Sequence, residues 1–319
     1  MRFLVCGIGS IGLRHLKNLL YLGYSDIILF TTGKSCVPEY NKYTKELKKF
    51  ISIDEALKQK PDICIIANPT SMHVDVALKA AQAGCHLLIE KPLTNKLENL
   101  DRLQSFVDKK DLITNIAYQF RFHPHIKALK SVFSTDSGEY GKPLYVSTEW
   151  SEYLPDWHPW ENYKNGYSAR ADLGGGVLLT QIHPLNYLEY IFGKIVSVQT
   201  KQITTRSLDI AVDDIADFLI SFKSGMSGHI HVDYVQKPRV HTMKIVTNRG
   251  RFEWDCHKNS LEFLGHKSKR LFPIKAFKRN DMFVEMLDYF IKSVETNTQS
   301  GFSIREAIYE IKLLSEELM

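Results

Sequence analysis

Three short stretches of this chain carry residues whose types and spacing could do chemistry. The first is Gly7-Ile8-Gly9-Ser10-Ile11-Gly12, three glycines at GxGxxG spacing. It follows the apolar run at residues 3–6 and opens a segment with helical periodicity over residues 11–22. In that setting Gly7 permits a tight turn, Gly9 lets the backbone approach a pyrophosphate, and Gly12 lets the helix lie close to the strand. The N–H groups around Ser10 and Ile11, at the start of the helix, then face the phosphates. The second stretch is Glu90-Lys91-Pro92, after the apolar run at residues 86–89. A lysine at the carboxyl end of a strand lies where open α/β sheets bind ligands. Its ammonium can donate to a hydroxyl or ketone oxygen. The third is His183, downstream of Gly174-Gly175-Gly176. An imidazole there could move a hydroxyl proton. Taken singly, Lys91 also fits an exposed strand-end lysine, and His183 a satisfied core histidine.

The end of the second apolar run bears on the cofactor. An acidic residue there accepts from the ribose 2′-hydroxyl of NAD. Here the segment reads Phe30-Thr31-Thr32-Gly33-Lys34-Ser35, with no carboxylate. Two hydroxyls and a lysine suit a 2′-phosphate instead. The expected cofactor is NAD(P), with a lean towards NADP through Thr31, Thr32 and Lys34.

These residues need a scaffold, and the first third of the chain supplies one. Strand-like runs at 3–6, 27–30, 62–67, 86–89 and 112–117 alternate with helical patterns at 11–22, 53–59, 72–83 and 95–109. That order predicts a doubly wound parallel sheet, with apolar strands buried on both faces. After about residue 120 the texture changes to period-2 stretches at 144–150, 196–204, 215–222, 227–234 and 241–246. They predict a large, mostly antiparallel sheet. Helical patterns interrupt it near 122–133 and 177–191, and two amphipathic helices, about 280–295 and 303–318, close the chain. The expected division is 1–120 and 121–319, with the closing helices free to pack back on the first domain.

Two more motifs join the three. Asn68-Pro69-Thr70-Ser71-Met72-His73 follows the run at 62–67, and Tyr118-Gln119-Phe120-Arg121-Phe122-His123-Pro124 sits at the domain junction. In this order and spacing the set closely resembles the Gfo/Idh/MocA oxidoreductases, the glucose–fructose oxidoreductase and inositol dehydrogenase family, over the whole chain. The resemblance implies an α/β protein: an N-terminal Rossmann domain, then an α/β domain with a large open sheet whose face commonly pairs subunits, so a homodimer or homotetramer. It implies Lys91 as the catalytic or substrate-orienting lysine and His183 as the acid–base residue. Cofactor contacts would come from Gly7, Gly9, Ser10, Ile11, Gly12, Thr31, Thr32, Lys34, Asn68, Pro69, Thr70, His73, Glu90, Lys91 and Gln119. Substrate contacts would come from Lys91, Arg121, Trp157, His158, Tyr167, Thr180 and His183. The aromatic-rich segment at 153–163, with Asp156, His158 and Glu161, could line a sugar pocket or simply cover the first domain. Ser168 and Arg170 are further candidates for holding a substrate anion. Two positions depart from the family pattern. Leu179 stands where many members carry an aspartate ahead of the histidine, and Asn186 where one often follows it.

The totals narrow the remaining classes. A formal charge of +5 spread over 319 residues is diffuse, which argues against nucleic acid. Five widely spaced cysteines, at 6, 36, 64, 85 and 256, contain no CxxC. Neither a disulfide framework nor a metal site is expected, and a reducing cytoplasm fits. No stretch approaches a membrane span. The expected activity is hydride transfer between nicotinamide and a sugar, cyclitol or nucleotide-linked sugar derivative. A sugar isomerase or eliminase with recycled cofactor, and a non-catalytic dinucleotide-binding regulator, are the alternatives.

Overall fold

The computed structural model describes residues 1–33, 35–135, 138–274 and 276–314. Residues 3–116 build a six-stranded sheet. Its elements are β1 (Phe3–Cys6), α1 (Ser10–Tyr21), β2 (Ile27–Phe30), α2 (Tyr40–Thr44), β3 (Lys48–Phe50), α3 (Ile53–Leu57), β4 (Ile63–Ile66), α4 (His73–Ala83), β5 (His86–Ile89), α5 (Leu100–Lys109) and β6 (Thr114–Ile116). The strand order is β3-β2-β1-β4-β5-β6, and every pairing is parallel. β1 and β4 are fully buried, as apolar strands sandwiched between helix layers must be. The order reverses direction at β1/β4, so the carboxyl ends of these two strands frame a crevice.

The rest of the chain forms α6 (Pro124–Ser134), β7 (Pro143–Ser151), α7 (Val177–Thr180), α8 (His183–Phe192), β8 (Ile195–Ile203), β9 (Ile215–Phe222), β10 (Ser227–Asp233), β11 (Val240–Thr247), β12 (Gly250–Asp255), β13 (Ser260–Gly265), β14 (Lys269–Leu271), α9 (Arg279–Glu295) and α10 (Ile304–Leu313). The eight strands run β14-β13-β12-β11-β7-β10-β9-β8. Only β7 and β10 pair in parallel. Alternate residues such as Ala216, Phe218, Ile220 and Phe222 face the core. α9 returns to the first sheet and lies against α1. Met286, Leu287, Phe290 and Ile291 join the same apolar cluster as Phe3, Val5 and Leu16, and Asn280 Nδ2 donates to Asn18 Oδ1 at 2.9 Å.

Three expectations are corrected. The helix expected over 95–109 starts only at Leu100, because Asn99 takes a left-handed conformation (φ 64°) that ends the preceding turn. The helix expected over 177–191 breaks at Gln181–Ile182. Pro184 has no N–H to give the carbonyl four residues back, that of Thr180, so one continuous helix cannot run through. Finally, β3 and β12 to β14 were not anticipated as strands. Phe252 and Trp254 alternate inward opposite Phe263 and Leu261, but the runs are short and broken by turns.

Candidate active site

The dinucleotide loop is built from the ends of β1 and β4. Gly7 sits at φ 82°, and a Cβ there would come within 2.7 Å of the Ala67 carbonyl oxygen. A Cβ on Gly12 would run into the Gly7 carbonyl. The two glycines therefore wedge α1 against the sheet. Gly9 differs: a Cβ there would meet no described atom within 4 Å. It faces the crevice. No side chain caps α1 among the described residues, so the N–H groups of Ser10, Ile11 and Gly12 and the positive end of the helix are left for an anion. The Asn68 Oδ1, at the end of β4, is buried and without a partner among the described residues. Both observations fit a pyrophosphate and an adjoining sugar or amide group. At the end of β2, Thr31 is buried and its Oγ1 accepts from Gly33 N at 3.2 Å, while Thr32 is exposed. Lys34 lies outside the described residues.

The Asn68–His73 and Glu90–Pro92 segments are locked together. His73 is 1% exposed. Its Nδ1 lies 2.9 Å from the Pro92 carbonyl and its Nε2 2.9 Å from that of Asn68. Burial holds the ring towards its neutral form. Both nitrogens face backbone carbonyls, and the neutral ring, with one N–H, donates to one of the two, so that His73 packs between the Asn68 and Lys91 segments. Thr70 is buried beneath Gly174. Glu90 is buried as well, its Oε1 2.8 Å from Nε2 of His15 on α1 and its Oε2 accepting from Lys91 N at 3.3 Å. His15 was not foreseen. The signal was present, since it falls three residues after Gly12, on the helix face that meets the sheet.

Lys91 and His183 come together from the two halves of the chain. Lys91 is half-buried, and its Nζ donates to the Thr180 carbonyl oxygen at 2.7 Å. That carbonyl is the one Pro184 leaves without a helical donor. One N–H of the ammonium is spent there and two remain. His183 is 2% exposed. Its Nε2 lies 3.2 Å from Gln119 Nε2. An amide nitrogen only donates, so the imidazole Nε2 accepts and its proton sits on Nδ1. Nδ1 has no partner among the described residues. Trp150 stacks on the ring at 5.4 Å, and Tyr118 and Phe120 close its edges at 5.6 and 5.2 Å. Burial, with the Lys91 charge adding to it, holds the imidazole well below its ordinary range. Gln119, expected on the cofactor, is engaged with His183 instead.

A model of an oxidoreductase family with an NAD-binding Rossmann fold, GFO_IDH_MocA, matches residues 1–118. The GFO/IDH/MocA C-terminal domain model matches residues 134–253. The chain belongs to the Gfo/Idh/MocA oxidoreductase family. Myo-inositol 2-dehydrogenase of Thermotoga maritima is 26% identical over 327 residues, covering 95% of this chain and 91% of that protein. UDP-N-acetylglucosamine 3-dehydrogenase of Acidithiobacillus ferrooxidans is 33% identical over 150 residues, 47% of this chain and 45% of that protein. Its solved structure shares the fold, with a TM-score of 0.77 at 21% identity over 100% of this chain and 99% of its own. An NADP(+)-dependent D-xylose 1-dehydrogenase of Haloarcula marismortui is 23% identical over 263 residues, 77% of this chain and 68% of that protein.

Leu179 and Asn186 are the two positions where this Gfo/Idh/MocA chain was expected to depart from the family pattern, and the structure shows what each does. Leu179 is buried and brings no carboxylate to His183. The nearby Asp213 does not replace one. Its Oδ2 accepts from Leu178 N at 2.7 Å, capping α7, and burial pushes its carboxyl up to about 6. Asn186 Oδ1 accepts from Arg121 Nε at 2.8 Å. Arg121 also donates to the Gly301 carbonyl at 2.9 Å and lies over Phe302. It ties α8 to the segment before α10 through two of its five N–H donors.

The loop after β7 divides similarly. Trp157 meets Tyr234 edge-on at 5.3 Å. His158 Nδ1 lies 2.9 Å from Glu161 Oε1. Tyr167 is half-buried and Ser168 buried. Arg170 is exposed and paired with Asp172. None of these is placed against Lys91 by a hydrogen bond.

A cavity of about 190 Å³ lies beyond the Trp150 and Phe120 rings that screen His183, and neither His183 nor Lys91 lines it. Trp150 and Phe120 line it and also touch the His183 ring. His241 stacks on Trp150 at 4.5 Å and 5°. Glu152, Arg239 and Arg279 complete its polar wall. These residues were missed, because they reach one place only through the ends of β7 and β11 and the start of α9. His123, at the back of the cavity, caps α6 by accepting from His125 N at 3.2 Å. Burial pushes its imidazole down to about 3. A histidine depressed in the fold gives stability that is present above the unfolded value near 6.5 and lost as pH falls towards 3. His123→Asn keeps a capping acceptor but cannot titrate. Between pH 6.5 and 5, wild type should lose about 2 kcal/mol relative to this variant. Urea melts of both proteins at the two pH values check it. A constant difference would show that His123 protonates in place.

Proposed function

We propose that the chain is an NAD(P)-dependent dehydrogenase or reductase acting on a carbinol or ketone carbon of a sugar, cyclitol or nucleotide-linked sugar. The carrying observation is the Lys91 ammonium, fixed by the Thr180 carbonyl with two N–H groups to spare, beside a neutral His183. The dinucleotide, when bound, supplies the hydride acceptor or donor. Lys91 donates to the substrate oxygen and stabilises negative charge on it. His183 takes up or returns the hydroxyl proton at Nε2, its unprotonated nitrogen, which has to exchange the Gln119 N–H for that proton. The burial that keeps its ring neutral also makes imidazolium costly, so Lys91 carries the larger part. Trp150 and Phe120 exclude water from the imidazole. The relatives named for inositol, xylose and UDP-N-acetylglucosamine support a polyhydroxylated substrate.

The test is a panel of sugars, cyclitols and nucleotide sugars, followed by nicotinamide absorbance. Turnover with unchanged absorbance would favour recycled cofactor. No turnover on any of them would favour a regulatory role. For the cofactor, the exposed Thr32 and the absence of a carboxylate at the end of β2 support NADP. NADPH is expected to bind more tightly than NADH in a fluorescence titration. Equal or tighter NADH binding reverses the preference.

A further inference from the structure

α1 meets the Lys91 turn through one buried side chain. His15 is 0% exposed and sits among Gly12, Leu13, Leu16 and Leu19, the buried residues of that helix. Its Nε2 lies 2.8 Å from Glu90 Oε1. A carboxylate accepts, so Nε2 carries the proton and donates. Nδ1 is buried and has no partner among the described residues. An apolar side chain would cover the same ground without leaving a buried nitrogen unbonded. Packing therefore gives no reason for a histidine here, and the bond to Glu90 does.

The same carboxylate has a second task. Its Oε2 accepts from Lys91 N at 3.3 Å. Lys91 turns the other way, its Nζ donating to the Thr180 carbonyl at 2.7 Å, as alternation along an extended chain directs. The peptide that carries Lys91 is thus pinned to α1 by Glu90 and to the α7–α8 break by the ammonium. Arg14 does not compete for Glu90. It is close enough to feel that charge, but its guanidinium lies over Phe283 at 4.5 Å. His15 stands one turn beyond Ser10, Ile11 and Gly12, whose N–H groups are left for an anion.

We propose that His15 is a positioning residue. Through Glu90 it ties the helix that receives the dinucleotide phosphates to the peptide that carries Lys91, and so keeps the ammonium in register with the bound nicotinamide. This role rests on the reading of Lys91 as the donor to the substrate oxygen. Without the His15 N–H the buried carboxylate keeps only the Lys91 N–H, and the turn it anchors shifts. A displacement of about 1 Å at a reacting group costs on the order of 10²-fold in rate.

Four proteins test it: wild type, His15→Leu, His15→Gln and Glu90→Gln, each with its melting temperature. Leucine fills the site and removes the donor, whereas glutamine places an amide N–H at a similar reach. In Glu90→Gln the amide oxygen can replace only one of the two carboxylate oxygens, so either His15 or Lys91 N loses its acceptor. That variant carries the test even if His15→Leu does not fold. The setting of Lys91 is read without turnover, as its rate of reductive methylation in dinucleotide-free protein, followed by peptide mass spectrometry. Lys79, on α4, is the unlinked reference. In His15→Leu and Glu90→Gln, Lys91 should label severalfold faster while Lys79 is unchanged. On the substrate found in the panel, kcat should fall by about 10–10²-fold, with the NADP dissociation constant near that of wild type. His15→Gln should recover most of both effects. Unchanged Lys91 labelling and kcat in His15→Leu and Glu90→Gln overturns the role. So does an equal loss in His15→Gln and His15→Leu, or faster labelling shared by Lys79. If Lys91 labelling follows the donor at residue 15 while wild type turns nothing over, the link stands and the hydride-transfer reading fails.

Discussion

Lys91→Ala is expected to lower kcat by about 10³-fold while the dinucleotide dissociation constant stays near that of wild type. The reason lies in how the ammonium is held. Its Nζ donates to the Thr180 carbonyl at 2.7 Å, and that carbonyl is available because Pro184 cannot supply a helical N–H. The side chain is thus oriented before any substrate arrives, with two donors left for an oxygen whose charge changes during reaction. Losing a preorganised donor of this kind removes stabilisation that is greater in the transition state than in the ground state. His183→Ala should cost less, because no carboxylate supports the imidazole and protonating it in a buried place is unfavourable. The measurements are steady-state kinetics on the substrate found in the panel, dinucleotide binding by fluorescence, and rescue of Lys91→Ala with ethylamine. The Thr180 carbonyl loses its donor in this variant, so a stability loss of about 1–3 kcal/mol accompanies it. A purely structural lysine would show that loss without amine rescue. A kcat within tenfold of wild type sinks the catalytic role.

What could be read along the chain and what could not follows the range of each interaction. The glycine loop is legible because its demands are local: a left-handed turn at Gly7 and no room for a Cβ at Gly12. The alternation of β1, β2, β4, β5 and β6 is legible because buried parallel strands are largely apolar, whereas β3, Lys48-Lys49-Phe50, is an edge strand with two exposed lysines and gave no such run. The Lys91–His183 pair was visible only as two motifs, since 92 positions separate them and the α7–α8 break joins them. Motif membership did not tell which way a ring faces. His73 belongs to a motif expected on the cofactor, yet both of its nitrogens face backbone carbonyls. Arg121 likewise sits in the junction motif, yet it binds Asn186 and Gly301. Glu152, Arg239 and Arg279 carried no local signal, because each is an ordinary charged residue at the end of an element. Only the topology that brings β7, β11 and α9 together makes them a wall.

Gly12→Ala and Gly9→Ala are expected to separate the fold's need for glycine from the ligand's. A Cβ on Gly12 collides with the Gly7 carbonyl, a backbone atom that cannot swing aside. α1 must then move off β1, at a cost of about 1–3 kcal/mol. The same shift misaims the first-turn N–H groups, so dinucleotide affinity falls as well, by about 10²-fold for the loss of two aligned hydrogen bonds to an anion. Gly9→Ala meets no described atom within 4 Å and its backbone lies at φ −79°, which alanine adopts freely. Its melting temperature should match wild type. Its affinity should still fall, because the new methyl occupies the crevice where the phosphates come closest. Thermal melts with and without NADP give both quantities for each variant. A Gly9→Ala protein that binds normally would place the pyrophosphate away from this loop. A Gly12→Ala protein as stable as wild type would mean that α1 is not wedged against β1 as described.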